Sequence, residues 1–181
     1  MIADLINAYK GKRVLVTGAS GFKGSWLSLC LENLGTEVIG YSLEPYSSKD
    51  NYVVCDLGSR INHIIGDIND FENLLSVFQK YKPDVVFHLA AQPLVIESYL
   101  DPLNTYNTNV NGTVNVLEAV RLTKSVSAAV FITSDKCYDL NNPNKTHKET
   151  DRLGSLDPYS ASKAACEIII QSYIKSFFTI N

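Results

Sequence analysis

Short apolar runs rich in Val and Ile alternate along the chain with longer stretches whose apolar residues recur every three or four positions. The runs read as buried strands and the stretches as amphipathic helices. Arg13 to Thr17 is the first strand and ends directly on a glycine. Phe22 to Leu34 is a helix with Trp26, Leu27, Cys30, Leu31 and Leu34 on its inward stripe, stopped by Gly35. Glu37 to Ser42 and Ile61 to Ile65 are the second and third strands, and Asn51 to Arg60 between them fits neither period. Asp70 to Tyr81 is a helix with Phe71, Leu74, Leu75 and Phe78 on one face; Pro83 ends it and Val85 to Leu89 is the fourth strand. Pro102 to Leu122 is the longest helix, turning Val110, Val114, Leu117 and Val120 inward. Ala128 to Thr133 is the fifth strand. Asp139 to Ser155, polar and carrying Pro143 and Gly154, is a loop, and Pro158 opens a last helix that runs to about Phe178. Strands separated by helices predict an α/β fold: a doubly wound, Rossmann-like parallel sheet with right-handed crossovers, in one domain over 1–181.

Composition narrows the class. The 181 residues are 45% hydrophobic and 19% charged, with a net charge of −3. A small, mixed charge gives no electrostatic footprint for nucleic acid or a membrane surface. No apolar run approaches the ~20 residues of a membrane span, and the mixed polar N-terminus does not read as a signal peptide. Cys30, Cys55, Cys137 and Cys166 form no CxxC pair, so the expectation is buried thiols in a reduced, cytoplasmic protein. His63, His88 and His147 have no ligand spacing, and no metal site is expected.

Two motifs carry the chemistry. In Gly18-Ala19-Ser20-Gly21-Phe22-Lys23-Gly24 the glycines follow a strand and enter a helix, the context of a dinucleotide fingerprint. Gly18 permits the tight turn, Gly21 lets backbone approach a pyrophosphate, and Gly24 lets helix and strand pack closely. The helix N-terminus offers free N–H groups to phosphate. The second motif is Tyr159 and Lys163, four apart on one helix face, where an ammonium can favour loss of a phenolic proton.

Lesser signals surround these. An acid that grips the ribose 2′-hydroxyl belongs at the end of the second strand, but Ser42 stands there and the first acid is Glu44. The lack of an arginine in the loop beyond favours NAD; the lack of a well-placed acid leaves NADP open. Asp67 reads either as an acceptor for an adenine amino group or as a helix N-cap. Leu89, Ala90 and Ala91 end the fourth strand with small residues, suited to a cofactor lying against backbone or to tight core packing. Ser134, Asp135 and Lys136 leave the fifth strand at its carboxyl end, where open α/β sheets bind ligands. They offer a hydroxyl, a proton donor and a partner for acid–base work.

With these residues the chain resembles the extended short-chain dehydrogenase/reductase family over essentially its whole length. The strings are Thr17 to Gly24, Gly66-Asp67-Ile68, His88 to Ala91, Asn109-Val110-Asn111-Gly112-Thr113 and Tyr159 to Lys163. Gly21 to Leu27, Ala90 to Val95 and Thr133 to Asp139 resemble the sugar-nucleotide 4,6-dehydratases within it, those acting on CDP-glucose above all. The resemblance implies NAD held by Gly18, Ser20, Gly21, Phe22, Lys23, Gly24, Ser42, Asp67, Ile68, Leu89, Ala90, Ala91, Tyr159 and Lys163. It implies that Tyr159, beside Ser134 and Lys163, takes the C4 hydroxyl proton, that Asp135 protonates the departing C6 hydroxyl, and that Lys136 sits at the C5 base position. It also implies a homodimer, and a second, smaller sugar-nucleotide domain that these residues do not include. A 4-epimerase or reductase, and a non-catalytic nucleotide-binding module, are the competing readings; Asp135 argues against the first.

Overall fold

The computed structural model describes residues 2–139, 146–154 and 156–178. Five strands form one parallel sheet: β1 (Arg13–Thr17), β2 (Glu37–Ser42), β3 (Asn62–Ile65), β4 (Val85–His88) and β5 (Ala128–Phe131), in the order β3-β2-β1-β4-β5. This is the expected doubly wound arrangement, with the chain reversing direction between β1 and β4. Val14, Leu15, Val16 and Thr17 of the central strand are all buried, as a parallel strand covered on both faces requires. Side chains alternate across the sheet. Val14 and Val16 join Leu31, Val38 and Leu57 on one face; Leu15 joins Ile39, Leu74, Phe78, Val86 and Val116 on the other.

Nine α-helices flank or connect the strands in the described residues: α1 (Ile2–Tyr9), α2 (Phe22–Asn33), α3 (Asn51–Val54), α4 (Leu57–Arg60), α5 (Phe71–Tyr81), α6 (Val95–Leu100), α7 (Pro102–Tyr106), α8 (Gly112–Leu122) and α9 (Pro158–Tyr173). Local chemistry sets several ends. The Asp70 carboxylate accepts the Asn73 N–H and starts α5, and Asp157 accepts the Ser160 N–H ahead of Pro158 and starts α9. Gly35 follows α2 at φ +78°, a left-handed geometry that suits glycine.

The structure departs from the sequence expectations in five places. The ambiguous 51–60 segment is the helix pair α3 and α4. α1 and α6 form where no helix was expected. The inward face of α2 is Gly24, Ser25, Ser28 and Leu31, while Trp26 and Cys30 face outward. Small residues occupy the inner face because α2 must approach the glycine loop closely, and bulk is left outside. The long helix over 102–122 is interrupted by a π-turn at Asn107–Asn111, and its buried residues are Thr105, Asn109, Gly112, Thr113, Val116, Leu117 and Ala119; Val110, Val114 and Val120 are half-buried. Among the cysteines, Cys137 and Cys166 are buried, Cys55 is half-buried and Cys30 is exposed.

The expected loop over 139–155 is tied back at both described ends. Tyr138 pairs antiparallel with Leu153, and the Gly154 N–H donates to the Cys137 carbonyl at 2.8 Å. Pro143 and Ser155 lie outside the described residues.

Candidate active site

The glycine loop joins β1 to α2 at the carboxyl end of the sheet. Gly18 has φ +72°, and a Cβ there would stand 2.8 Å from the Ala90 backbone nitrogen. A Cβ on Gly24 would stand 2.0 Å from the Gly18 carbonyl oxygen. Strand, loop and helix are therefore in backbone contact, and the roles expected of Gly18 and Gly24 have a steric basis. The N-terminus of α2 carries no side-chain cap on Gly21, so its N–H groups are open to an anion.

A cavity of about 580 Å³ opens over this loop, within the range of ordinary ligand pockets. Every residue expected to hold the dinucleotide lines it: Gly18 and Ser20 to Gly24, Ser42, Asp67, Ile68, Leu89 to Ala91, Tyr159 and Lys163. The Ser42 hydroxyl accepts the Ser20 N–H at 3.1 Å, and Ser20 Oγ donates to the Leu43 carbonyl at 2.8 Å, so the loop and the end of β2 hold each other. Asp67 is not an N-cap: Asp70 does that work, and the Asp67 carboxylate accepts the Asn69 N–H at 2.8 Å in a local turn. Its carbonyl accepts from the Tyr41 hydroxyl at 2.8 Å. Close glycine contacts, an uncapped helix N-terminus and a lysine at the loop fit a dinucleotide.

Tyr159 and Lys163 enter the cavity from the first turns of α9, and both are buried. The Lys163 ammonium donates to the Ile132 carbonyl at 3.3 Å. Burial pushes its pKa down, and the Lys23 charge adds to this while Cys166 opposes it. Two cationic side chains thus face one cavity, Lys23 from the glycine loop and Lys163 from α9, four residues after Tyr159.

Ser134, Asp135 and Lys136 are placed differently. They form a 3-10 turn, Asp135–Cys137 with Ser134 as its cap, packed against α9. The cavity wall takes Ile132 and Thr133, and not the three residues after them. The Ser134 hydroxyl donates to Asp135 Oδ1 at 3.1 Å and accepts the Lys136 N–H at 3.2 Å. Against burial, the hydrogen bonds from Ser160 and, more weakly, the Lys136 charge lower the pKa of Asp157, the cap of α9, so Lys136 stands near the start of the Tyr159 helix. The Thr133 hydroxyl donates to Glu167, one turn beyond Lys163 on α9.

Sequence reasoning missed Asn109 as more than part of a string. Within the π-turn it is 1% exposed. Its amide donates to the Gln92 carbonyl at 3.1 Å and to Ser162 Oγ at 2.8 Å, and its Oδ1 accepts the Gln92 N–H at 2.8 Å. Its backbone carbonyl accepts from Thr113 Oγ1 at 2.6 Å and from the Cys166 thiol at 3.1 Å. It joins the π-turn, the loop after β4 and the Tyr159 helix. The only sequence signal was an Asn-rich break in an otherwise apolar helix.

His88 lies beneath the site at 3% exposure, with Nδ1 2.7 Å from Thr17 Oγ1 and Nε2 3.2 Å from Thr113 Oγ1. Burial, and then the Lys163 charge, push its pKa down to about 3. The unfolded chain binds this proton near pH ~6.5, so between the two values the unfolded state carries the extra proton. The neutral ring's stabilisation is complete above the unfolded pKa and is lost as pH falls through that window, by up to ~1.4 kcal/mol per unit. Denaturant titrations are expected to show a steeper acid loss below about pH 6 for the native protein than for His88→Gln. Parallel slopes would contradict this.

Known proteins resemble this chain in sequence and in fold. A family model described as GDP-mannose 4,6 dehydratase matches residues 15–180. The chain is 46% identical over 172 residues to the CDP-glucose 4,6-dehydratase of Salmonella typhimurium, covering 95% of this chain and 48% of that protein. It is 33% identical over 179 residues to the dTDP-D-glucose 4,6-dehydratase of Dictyostelium discoideum, covering 92% of this chain and 41% of that one. Among solved structures, an epimerase from Methanothermobacter thermautotrophicus superposes with a TM-score of 0.85 at 31% identity, over 98% of this chain and 52% of its own. The UDP-glucose 4-epimerase of Thermus thermophilus, in complex with NAD, gives 0.79 at 31% identity, over 92% and 52%. The chain spans about half the length of the relatives it matches. With five parallel strands in the same fold, and a family model matched over nearly all of its length, this chain belongs to the family described as GDP-mannose 4,6 dehydratase.

Proposed function

We propose that the chain carries the dinucleotide-binding and proton-transfer part of a sugar-nucleotide 4,6-dehydratase that acts on CDP-glucose with NAD. One observation carries the reading: Tyr159 and Lys163 open into the same cavity as the glycine loop. The 46% identity to a CDP-glucose 4,6-dehydratase supports the substrate, and the NAD complex of the Thermus thermophilus neighbour supports the cofactor.

In this reading the glycine loop, the α2 N-terminus and Lys23 bind the pyrophosphate. Asp67 accepts from the adenine amino group, and Ile68 and Leu89 to Ala91 wall the cavity. NAD, when bound, supplies a reversible hydride acceptor for the sugar. Tyr159 takes the proton from the sugar C4 hydroxyl, and Lys163 stabilises the phenolate by its charge. The resulting ketone acidifies the C5 proton, which is assigned to Lys136. Asp135 protonates the departing C6 hydroxyl, and Ser134 binds the C4 oxygen beside Tyr159. The hydride taken from C4 would return to C6 as a proton returns to C5, so the cofactor would end as it began and the net change is loss of water to a 4-keto-6-deoxy sugar.

Two broader assignments belong here. The described residues contain no helix long and apolar enough to cross a membrane, and the two buried thiols fit a reduced, cytoplasmic setting. A homodimer is assigned through the helices after Pro102 and Pro158, which expose Leu103, Tyr106 and Ile168. Light scattering that finds only monomer would remove the dimer.

The test incubates the protein with CDP-glucose and NAD⁺ and follows the alkali-induced absorbance of a 4-keto sugar. A parallel calorimetric titration with NAD⁺ and NADP⁺ reads the cofactor. Product with tighter NAD⁺ binding is the expected result. Tighter NADP⁺ binding would overturn the cofactor assignment. NAD⁺ binding without product would favour a non-catalytic nucleotide-binding module, a reading helped by the position of Ser134, Asp135 and Lys136 outside the cavity wall.

A further inference from the structure

Ser42 at the end of β2, His63 within β3 and Tyr52 on α3 form a relay that the proposed reaction does not use. Ser42 Oγ lies 2.7 Å from His63 Nε2, and His63 Nδ1 lies 2.7 Å from Tyr52 Oη. The parallel register makes this possible: Gly40 of β2 faces His63 of β3, and a Cβ on Gly40 would stand 3.2 Å from His63 Cδ2. Tyr52 sits on α3 at 6% exposure, and its ring rests against the imidazole with centroids 4.9 Å apart. Only Ser42 of the three lines the cavity. It ends the second strand, where dinucleotide folds place an acid to accept a ribose 2′-hydroxyl.

A hydroxyl has one proton and two lone pairs, and a neutral imidazole has one donor and one acceptor. The Ser20 N–H occupies one Ser42 lone pair. If Ser42 gives its proton to Nε2, the second lone pair is left for a ligand hydroxyl, and the relay closes with Nδ1–H donated to Tyr52 Oη. If Nε2 instead donates, both lone pairs are filled and Ser42 offers only a proton to the cavity. The ring therefore decides whether Ser42 acts as acceptor or donor. Burial pushes the imidazole pKa down, against a weaker upward pull from Glu44, which favours the neutral ring. Glu44 and Asp56 also act on Tyr52, so the charges felt at the relay are negative.

We propose that His63, held by Tyr52, positions Ser42 as the acceptor for the adenosine ribose 2′-hydroxyl, and thereby selects a dinucleotide with a free 2′-hydroxyl over one with a 2′-phosphate. The inference rests on the reading of the cavity as a dinucleotide site. A 2′-phosphate would bring lone pairs against the Ser42 lone pair and a negative charge toward Glu44, with no cation in the relay to receive it. A neutral relay thus does the selecting that an acid does elsewhere. His63 is a positioning residue here, acting through Ser42.

The test titrates NAD⁺ and NADP⁺ calorimetrically into the native chain and into His63→Phe, His63→Gln and Tyr52→Phe, with thermal melts as a folding control. His63→Phe keeps a ring but removes the acceptor, and is expected to weaken NAD⁺ about tenfold and NADP⁺ less than about threefold. His63→Gln places a carbonyl where it can accept the Ser42 proton, and is expected to recover most of the NAD⁺ affinity. Tyr52→Phe lies off the cavity and leaves Nδ1–H without its acceptor, so it should show the same selective loss in smaller measure. A merely structural role would lower both affinities together. Equal losses for the two dinucleotides, no recovery with His63→Gln, or no loss at all would overturn the proposal. If His63→Phe fails to fold, the NAD⁺-to-NADP⁺ ratios of the other two variants decide. If the native chain binds neither dinucleotide, the reading of the cavity falls and this inference with it; binding with an unmoved ratio in every variant sinks the relay alone.

Discussion

Gly24→Ala is expected to separate α2 from the glycine loop and to weaken NAD⁺ binding more than tenfold. The new Cβ would sit 2.0 Å from the Gly18 carbonyl oxygen, 2.8 Å from its carbon and 3.0 Å from Ala19 Cα. All three are backbone atoms of a loop pinned on its other side, where Gly18 meets Ala90. No side chain can rotate away, so the helix must shift. Overpacking usually costs about 1–3 kcal/mol and more where backbone must move, so we expect ~3 kcal/mol or above. For a chain of this size that lowers the melting temperature by roughly 6–12 °C. Gly21 is the internal control, since a Cβ there would lie 3.3 Å from the Gly18 oxygen. Gly21→Ala should cost less than ~1 kcal/mol. Equal melting temperatures for the two variants would show that the contact at Gly24 is not what holds the loop.

Tyr159→Phe is expected to abolish turnover while leaving the cofactor site intact. The ring supplies the packing of a residue that is 9% exposed, and phenylalanine keeps it. The lost hydroxyl is the group assigned to take the C4 proton, and a positioned proton acceptor contributes about 10²–10⁴ in rate. Formation of the 4-keto product should fall by roughly 10³, with NAD⁺ affinity changed less than about threefold. Lys163→Met should differ by losing affinity as well, because its ammonium lies in the same cavity and near enough to Lys23 to feel its charge. Retention of a tenth or more of the native rate by Tyr159→Phe would remove the phenol from the reaction.

The legible and illegible parts divide along local and long-range physics. β1, β2, α5 and the start of α9 were readable because period, caps and proline act within a few residues. Gly18 and Gly24 were readable because their sequence context demands close backbone approach. Trp26 was misplaced for a long-range reason: which face of α2 turns inward depends on what it packs against, and the loop admits only small side chains. Asn109 was overlooked because its partners Gln92 and Ser162 lie 17 and 53 residues away. The relay behind Ser42 was invisible for the same reason, since Tyr52 on α3 and His63 on β3 meet only in the folded chain.

By itself, then, the amino-acid sequence determined the doubly wound fold, the glycine loop and the Tyr159–Lys163 pair, each written in spacings that short-range sterics and helix geometry interpret. Tertiary structure alone decided that these two motifs share one cavity and that Ser134, Asp135 and Lys136 stand outside its wall. It also decided that Ser42 is backed by an imidazole where an acid would otherwise stand. Such contacts join residues far apart in the chain, and only packing of the sheet and its helices brings them within hydrogen-bond reach.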